Sequence, residues 1–306
     1  MDDLKLLVSP SPHVRDTDTT EKIMFAVLIA LLPVVAAAIY FFRWDAVRVL
    51  LLSAGSAVAT ETIWQRLRRK PIRIGDGSAL ITGVLLALSL PPTIPSWMVI
   101  VGSAFAIAIG KQVFGGLGHN PFNPALVGRA FMLASFSQAM TKWTPPIDGV
   151  SAATPLALGA AVSRVPDLFF GSVAGSLGET SALAILLGGI YLFYKGVIDY
   201  RIPVSICATV TVFALLAGED PIFHLLAGSV LFAAVYMATD MVTSPITKPG
   251  RWIFGVGVAV IIMLIRIWGG YPEGVTFAIL LMNAATPLIN RWTRPRIYGQ
   301  GVKVSE

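Results

Sequence analysis

The sequence alternates between apolar segments and short polar breaks, many of which contain glycine or proline. Apolar runs of about 18 residues with few charges are long enough to cross a bilayer as a helix. The third run is shorter, because it stops at Pro91-Pro92. The pattern predicts an all-α polytopic membrane protein with ten transmembrane helices, at residues 22–42, 46–65, 77–90, 96–113, 121–137, 178–195, 202–217, 221–239, 252–268 and 272–290.

A weak internal repeat relates the two halves of the chain at a constant offset of 151 residues. Each half would hold five helices, and an odd number of crossings gives the halves opposite orientations. Inverted repeats with broken helices often enclose a transport path near the bilayer midplane. Two unrelated five-helix bundles are the alternative. The matched residues are Gly77, Ser78, Leu80, Val84 and Ala87 with Gly228, Ser229, Leu231, Val235 and Ala238, and Pro121 with Pro272.

The composition supports a membrane protein. Hydrophobic residues make up 55% of the chain and charged residues 13%, with a mean hydropathy of +0.75, whereas soluble domains carry about 25% charged residues. The single cysteine, Cys207, makes a disulfide framework and a cysteine-ligated metal or iron–sulfur site within this chain unexpected. Basic residues cluster at the ends of the predicted helices without an aromatic-interleaved face, so we expect no nucleic-acid binding.

The distribution of basic residues predicts the orientation. With the N-terminus inside, the cytoplasmic segments hold 17 of the 23 Lys and Arg residues and the outer segments hold five. The positive-inside rule then places both termini in the cytoplasm. We expect the chain to lie in the inner membrane of the cell. The predicted organisation is a cytoplasmic tail at 1–21, a first repeat at 22–137, an outer loop at 138–177, a second repeat at 178–290 and a cytoplasmic tail at 291–306.

The outer loop contains the sequence Asp148-Gly149-Val150-Ser151-Ala152-Ala153-Thr154-Pro155. Asp-Gly is an ordinary turn pair, and Thr154 followed by Pro155 suits the start of a short helix through residues 156–162. A phosphate linked to the Thr154 hydroxyl would lie at that helix N-terminus, where backbone amides favour anions. A threonine hydroxyl is a poor nucleophile, so such a linkage implies a separate transferase.

The segment from Asp148 to Thr154 resembles the attachment motif for FMN in the RnfD/NqrB family of flavin-bearing membrane proteins. A second block, Gly-Lys-x-x-Phe-Gly-Gly-x-Gly-x-Asn-x-x-Asn-Pro-Ala-Leu-x-Gly-Arg-Ala-Phe from Gly110 to Phe131, is similar to the same family. Met237-Ala238-Thr239-Asp240 and Pro272-Glu273-Gly274-Val275 resemble its second half. The short polar segment before the first helix is closer to the RnfD branch.

The resemblance implies a membrane subunit of the Rnf complex, which couples electron transfer between reduced ferredoxin and NAD⁺ to transport of Na⁺ or H⁺. FMN would be bound covalently to Thr154, with Asp148, Gly149, Ser151 and Ala153 forming the rest of the motif. A non-covalent riboflavin is a second possible cofactor, whose position the sequence does not indicate. Ferredoxin, NAD and the iron–sulfur clusters would bind to partner subunits, and a flavin transferase would attach the FMN.

Further polar residues lie at the ends or in the interior of predicted helices. Arg129 is a charge within an apolar segment, which usually faces a cavity or a partner. It could pair with a flavin, anchor the glycine-rich block or form a structural ion pair. Asn123 and Lys111 are candidates for flavin contact, and Asp240 and Asp76 for the ion path, although helix-end acids are also routine caps. Asn283, like Asn123, could bind a cation or a flavin ring, whereas Glu61 and Glu273 are weaker candidates.

Two other functions remain open. The chain could be the NqrB-like component of a Na⁺-translocating NADH:quinone reductase, or a channel or transporter without a cofactor, because an inverted five-helix repeat also resembles urea channels.

Overall fold

The computed structural model describes residues 19–143, 165–171, 173–269 and 274–295. Every regular element in these residues is helical. We number the helices α1 Thr20–Leu67, α2 Ser78–Leu88, α3 Ser96–Ile107, α4 Pro124–Ser135, α5 Ser137–Met140, α6 Val165–Phe170, α7 Ala182–Tyr194, α8 Arg201–Ala217, α9 Pro221–Leu226, α10 Val230–Phe232, α11 Lys248–Trp268 and α12 Val275–Trp292. Single π-helical turns, Ala108–Gln112 and Ala233–Met237, extend α3 and α10.

Helix α1 contains the first two predicted helices, separated by a sharp break. Arg43 interrupts it with φ 48° and ψ −122°, a left-handed φ that is uncommon for a residue with a side chain. Thr19 caps its start by accepting a hydrogen bond from the Lys22 backbone N–H. The two arms of α1 pack on α2, α3 and α7, so this helix forms the centre of the hydrophobic core.

Two predicted helices of the second half are interrupted. We expected a helix from residue 178, but α7 begins at Ala182, and residues 174–181 are buried without helical structure. The predicted helix at 221–239 is divided into α9, α10 and a π turn by a break that contains Gly228, with φ 72°. Apolar composition alone predicted continuous helices, because a buried non-helical segment is as hydrophobic as a buried helix.

Arginine side chains satisfy backbone carbonyls at two of the breaks. Arg48 donates to the carbonyls of Pro92 and Ile94, after the end of α2. Arg266 donates to the carbonyls of His224 and Ala227, at the break after α9. Carbonyls at a helix end need such partners when they are away from water.

Several helix boundaries recur at the offset seen in the sequence. Helices α4 and α12 begin at Pro124 and Val275, which are 151 residues apart, and the starts of α2 and α10 are 152 residues apart. The two halves are in direct contact: the Tyr236 hydroxyl donates to the Ala30 carbonyl at 2.9 Å.

All ten predicted segments contain helical structure. Within the described part of the chain, two helices, α1 and α11, meet length and composition criteria for crossing a membrane by themselves, and five further helices are apolar but shorter. The fold is thus all-helical with extensive apolar surface, as a membrane protein requires.

Candidate functional site

A buried ion pair lies at the C-terminal end of α3. The Lys111 ammonium contacts both oxygens of the Glu61 carboxylate, at 3.0 and 2.8 Å. The two residues are 1% and 2% exposed. Glu61 projects from the second arm of α1, and Lys111 from the π turn that ends α3. A charge buried this deeply is tolerated because an opposite charge and further hydrogen bonds compensate it.

Polar side chains extend this pair in two directions. Ser78, at the start of α2, accepts a hydrogen bond from Lys111 at 2.6 Å and donates to Asp76 at 2.8 Å. On the other side, Gln112 donates to Glu61 at 2.7 Å, and Gln65 at 3.2 Å. A continuous hydrogen-bonded chain therefore connects half-buried Asp76 to buried Glu61.

A cavity borders this network between the two halves of the chain. It holds about 800 Å³ of space, part of which is open to solvent. Lys111, Asn120 and Asn123 line it from the first half, and Tyr236 and Asp240 line it from the second. The structure thus brings together three residues that were predicted as separate candidates: Lys111, Asn123 and Asp240.

Each of these candidates also has a structural role. Asn123 caps α4, accepting from the backbone N–H of Ala125 and Leu126, and donates to the Met237 carbonyl across the interface between the halves. Asp240 accepts from the Val242 backbone N–H and the Thr243 hydroxyl.

Asp76 likewise accepts from the backbone N–H of Ser78. Asp76 and Asp240 thus each bind a backbone N–H two residues later, beside a helix end but not as its N-cap. This local role is compatible with their position on the network or the cavity.

Arg129 lies in α4 and forms a second buried ion pair. Its Nη2 is 3.7 Å from Glu179 Oε1, and both side chains are almost fully buried. Glu179 belongs to the non-helical segment before α7. Asn283, in α12, is also buried, and neither its amide nitrogen nor its carbonyl oxygen has a hydrogen-bond partner among the described residues.

A third charged group lies in the polar connection between α7 and α8. Asp199 accepts from the backbone N–H and the guanidinium of Arg201, and from the guanidinium of Arg251. Burial alone would raise the pKa of Asp199, but these hydrogen bonds and the charge of Arg251 outweigh it and lower the pKa. The carboxylate therefore stays ionised and joins the start of α8 to that of α11.

The proposed flavin-attachment residues Asp148, Gly149, Ser151, Ala153 and Thr154 lie outside the described residues, as does Glu273. The nearest described helix that follows the motif is α6. Its Leu168 packs with Phe223 and Ala227, beside the break after α9. The C-terminal end of the predicted outer loop is thus joined to the second half of the protein.

Two acids in the buried ion pairs were undervalued or missed from sequence. Glu61 was a weak candidate and Glu179 was not a candidate. Both are acidic residues within or beside apolar segments, and such positions are costly unless a cation compensates them. A search for every acidic and basic residue within or beside an apolar segment would have indicated them, because Lys111 and Arg129 also lie within such segments.

An all-helical fold with apolar helices, buried ion pairs and a cavity between its halves is typical of a membrane protein with charged groups in its interior. The chain belongs to the NQR2, RnfD, RnfE family, whose model matches residues 7–299.

Among its relatives is the D subunit of the Na⁺-translocating ferredoxin:NAD⁺ oxidoreductase complex of Acetobacterium woodii, 51% identical over 98% of this chain and 97% of the relative. The D subunit of the proton-translocating ferredoxin:NAD⁺ oxidoreductase complex of Clostridium ljungdahlii is 43% identical over 95% of this chain and 96% of the relative. The D subunit of the ion-translocating oxidoreductase complex of Stutzerimonas stutzeri is 42% identical over 93% of this chain and 94% of the relative. The expected resemblance to RnfD is confirmed.

Proposed function

We propose that this chain is the D subunit of an Rnf-type ferredoxin:NAD⁺ oxidoreductase, a redox-driven translocase for Na⁺ or H⁺, and that it works only with the other subunits of that complex. The observation that carries this proposal is the buried ion-pair network of the first half, which borders a cavity between the two halves. Relatives that cover nearly the whole chain and are named as D subunits support it. They favour it over the NqrB-like alternative and over a channel without a cofactor.

The membrane arrangement in this proposal is ten helices in two inverted five-helix repeats, in the inner membrane with both termini cytoplasmic. The recurring helix boundaries support a repeat. The excess of basic residues in alternate connections supports the orientation. The loop that contains Thr154 would then lie on the outer face, and the cavity near the cytoplasmic side.

FMN would be held by a phosphoester to the Thr154 hydroxyl, attached by a flavin transferase. The small residues Ser151 and Ala153 leave room for the ring and the enzyme, and Asp148 and Gly149 complete the motif. The bound flavin would supply an electron relay. Thr154 itself is a tether, not a catalytic group.

The cavity suits a non-covalent flavin such as riboflavin. Asn120 and Asn123 provide amide groups for the polar edges of the ring, among apolar side chains such as Leu85. Lys111 lines the same space, but its ammonium is already engaged by Glu61 and Ser78, so we assign it to the ion-pair network first.

The cytoplasmic part of the ion path would comprise Asp240 and Asp76. Asp240 lies on the cavity, and Asp76 connects through Ser78 to the Lys111–Glu61 pair. Carboxylates within a membrane commonly mark the route of a transported cation, and these residues provide one from each half.

The test uses the purified complex with variants of this chain. Thr154→Ala should abolish the flavin fluorescence that stays with this chain on a denaturing gel, while Thr141→Ala, a nearby threonine outside the motif, should keep it. Acid precipitation of the wild type should release riboflavin and retain FMN. A dark wild-type band from cells that make the transferase would refute the flavin assignment.

The ion path is tested separately. Asp240→Asn should keep covalent flavin but slow ion-coupled NAD⁺ reduction, whereas the exposed Glu219→Gln should leave that rate unchanged.

A further inference from the structure

The non-helical segment before α7 lies deep in the protein. Residues 174–181, which we call the re-entrant segment, are all buried. Its backbone pairs with the end of α2: Leu177 N–H donates to the Leu90 carbonyl at 3.1 Å, and Gly178 N–H to the Leu88 carbonyl at 2.6 Å. Non-helical backbone at membrane depth is tolerated where it is buried in protein or lines a polar path.

Three oxygen-bearing side chains of this segment are buried. Ser176, Glu179 and Thr180 are 0%, 5% and 1% exposed. The hydroxyls of Ser176 and Thr180 and the Oε1 of Glu179 have no hydrogen-bond partner among the described residues. An unsatisfied buried polar group costs about 1–3 kcal/mol. Two unsatisfied hydroxyls and a carboxylate oxygen 3.7 Å from its cation, within five residues, provide oxygen atoms for a bound ligand.

The charges of Glu179 and Arg129 around the segment would allow a cation to bind only weakly. The Arg129–Glu179 separation of 3.7 Å is longer than the 2.8 Å of the Lys111–Glu61 contact, so the Glu179 carboxylate is less tightly engaged. The C-terminal end of α2, with its negative dipole, meets the segment at Leu88. Arg129 opposes permanent occupancy by a cation, and a transported ion must be able to leave.

We propose that the re-entrant segment is a binding site for the Na⁺ that the complex transports, with Glu179, Ser176 and Thr180 as oxygen ligands. This inference rests on the proposed function and makes the ion Na⁺ in preference to H⁺. A proton needs only the carboxylate, whereas a metal cation uses the hydroxyl oxygens as well. A single carboxylate, whose charge Arg129 partly offsets at 3.7 Å, supplies too little negative charge to hold a divalent ion.

The experiment measures ferredoxin-dependent NAD⁺ reduction by the whole complex in liposomes as Na⁺ is varied, with K⁺ keeping the ionic strength constant. Thr180→Val and Ser176→Ala each remove one oxygen. Each should raise the apparent KM for Na⁺ roughly tenfold, because one neutral ligand is lost. The rate at saturating Na⁺ and the covalent flavin should stay near wild type. A merely structural role would lower the yield or the maximal rate without moving the KM.

Ser205→Ala is the matched control: Ser205 is equally buried, but its hydroxyl donates to the Ile202 carbonyl within α8, so its KM for Na⁺ should not change. Thr180→Ser keeps the oxygen and should have the KM for Na⁺ of the wild type. If the complex with Thr180→Val does not assemble, Ser176→Ala gives an independent measurement. An unchanged KM in both oxygen-deleting variants would overturn the site. A wild-type complex that is indifferent to Na⁺ would overturn the choice of ion, whereas absent covalent flavin would count against the proposed function alone.

Discussion

At the scale of single residues, the Lys111–Glu61 pair makes the strongest energetic demand on the fold. Lys111→Met leaves the Glu61 carboxylate buried without its cation. We expect a loss of about 3–5 kcal/mol of stability, the usual cost of breaking a buried pair. The double variant Lys111→Met/Glu61→Gln removes both charges and should recover most of that loss. Unfolding of the purified protein in detergent, followed by circular dichroism, measures the stability of both variants relative to the wild type.

Lys195→Met is the control for that cycle, because Lys195 is exposed after α7 and the substitution removes the same charge. Its effect should stay within about 0.5 kcal/mol. Equal stability losses in Lys111→Met and the double variant would show that the uncompensated charge of Glu61 does not cause the loss.

The sequence predicted candidates at this scale better than it predicted partners. The positions of Lys111, Asn123 and Asp240 at helix ends marked them as candidates, and the structure brings them to one cavity. Their partners could not be predicted, because Glu61 is 50 residues from Lys111 and only packing brings the two together. Periodicity shows which residues share a helix face, but it carries no information on which helices meet.

At the scale of helices, Gly188 allows α7 to approach the centre of the protein. A Cβ at this position would collide with the Tyr236 hydroxyl and the Ala30 carbonyl, which are themselves hydrogen-bonded. Gly188→Ala should therefore separate α7 from α1 and destabilise the protein by about 1–3 kcal/mol, the usual cost of overpacking. The midpoint of thermal unfolding in detergent gives the measurement.

Gly55→Ala is the matched comparison, because Gly55 also lies within a helix but a Cβ there would have no neighbour within 4 Å. It should be neutral or stabilising by up to about 1 kcal/mol, since alanine favours helix. If both alanine variants unfolded at the same temperature, the close contact at Gly188 would not limit the packing of α7.

Helix positions were largely predictable, and helix interruptions were not. Apolar length identified a helical region for all ten segments, and Pro91-Pro92 correctly indicated a short α2. Residues 174–181 and the break at Gly228 were missed, because hydrophobic burial is the same for a helix and for a segment tied to α2 or to Arg266. The contacts that replace the helical hydrogen bonds come from distant parts of the chain.

At the scale of the whole molecule, each half has its own helix pairs, and the halves then pack on one another. Helices α1 and α2 pair within the first half, as do α8 and α11 within the second, whereas α1 and α7 pack across the interface. Asn123 and Tyr236 add hydrogen bonds that cross it. This arrangement suggests that the halves can be made separately but are stable only together.

We therefore expect residues 1–145 and 146–306, produced as separate chains, to be degraded when made alone and to form a stable complex when made together. Separate production preserves the helix pairs within each half, while the interface between α1 and α7 buries apolar surface that neither half can cover by itself. Co-purification on a tag carried by one half measures recovery. Tyr236→Phe should reduce it, because the bond to Ala30 is lost, whereas Thr211→Val, which affects a bond within α8, should not. Two halves that are each stable and monodisperse alone would instead favour independent five-helix bundles, and would remove the reason for placing a shared path between them.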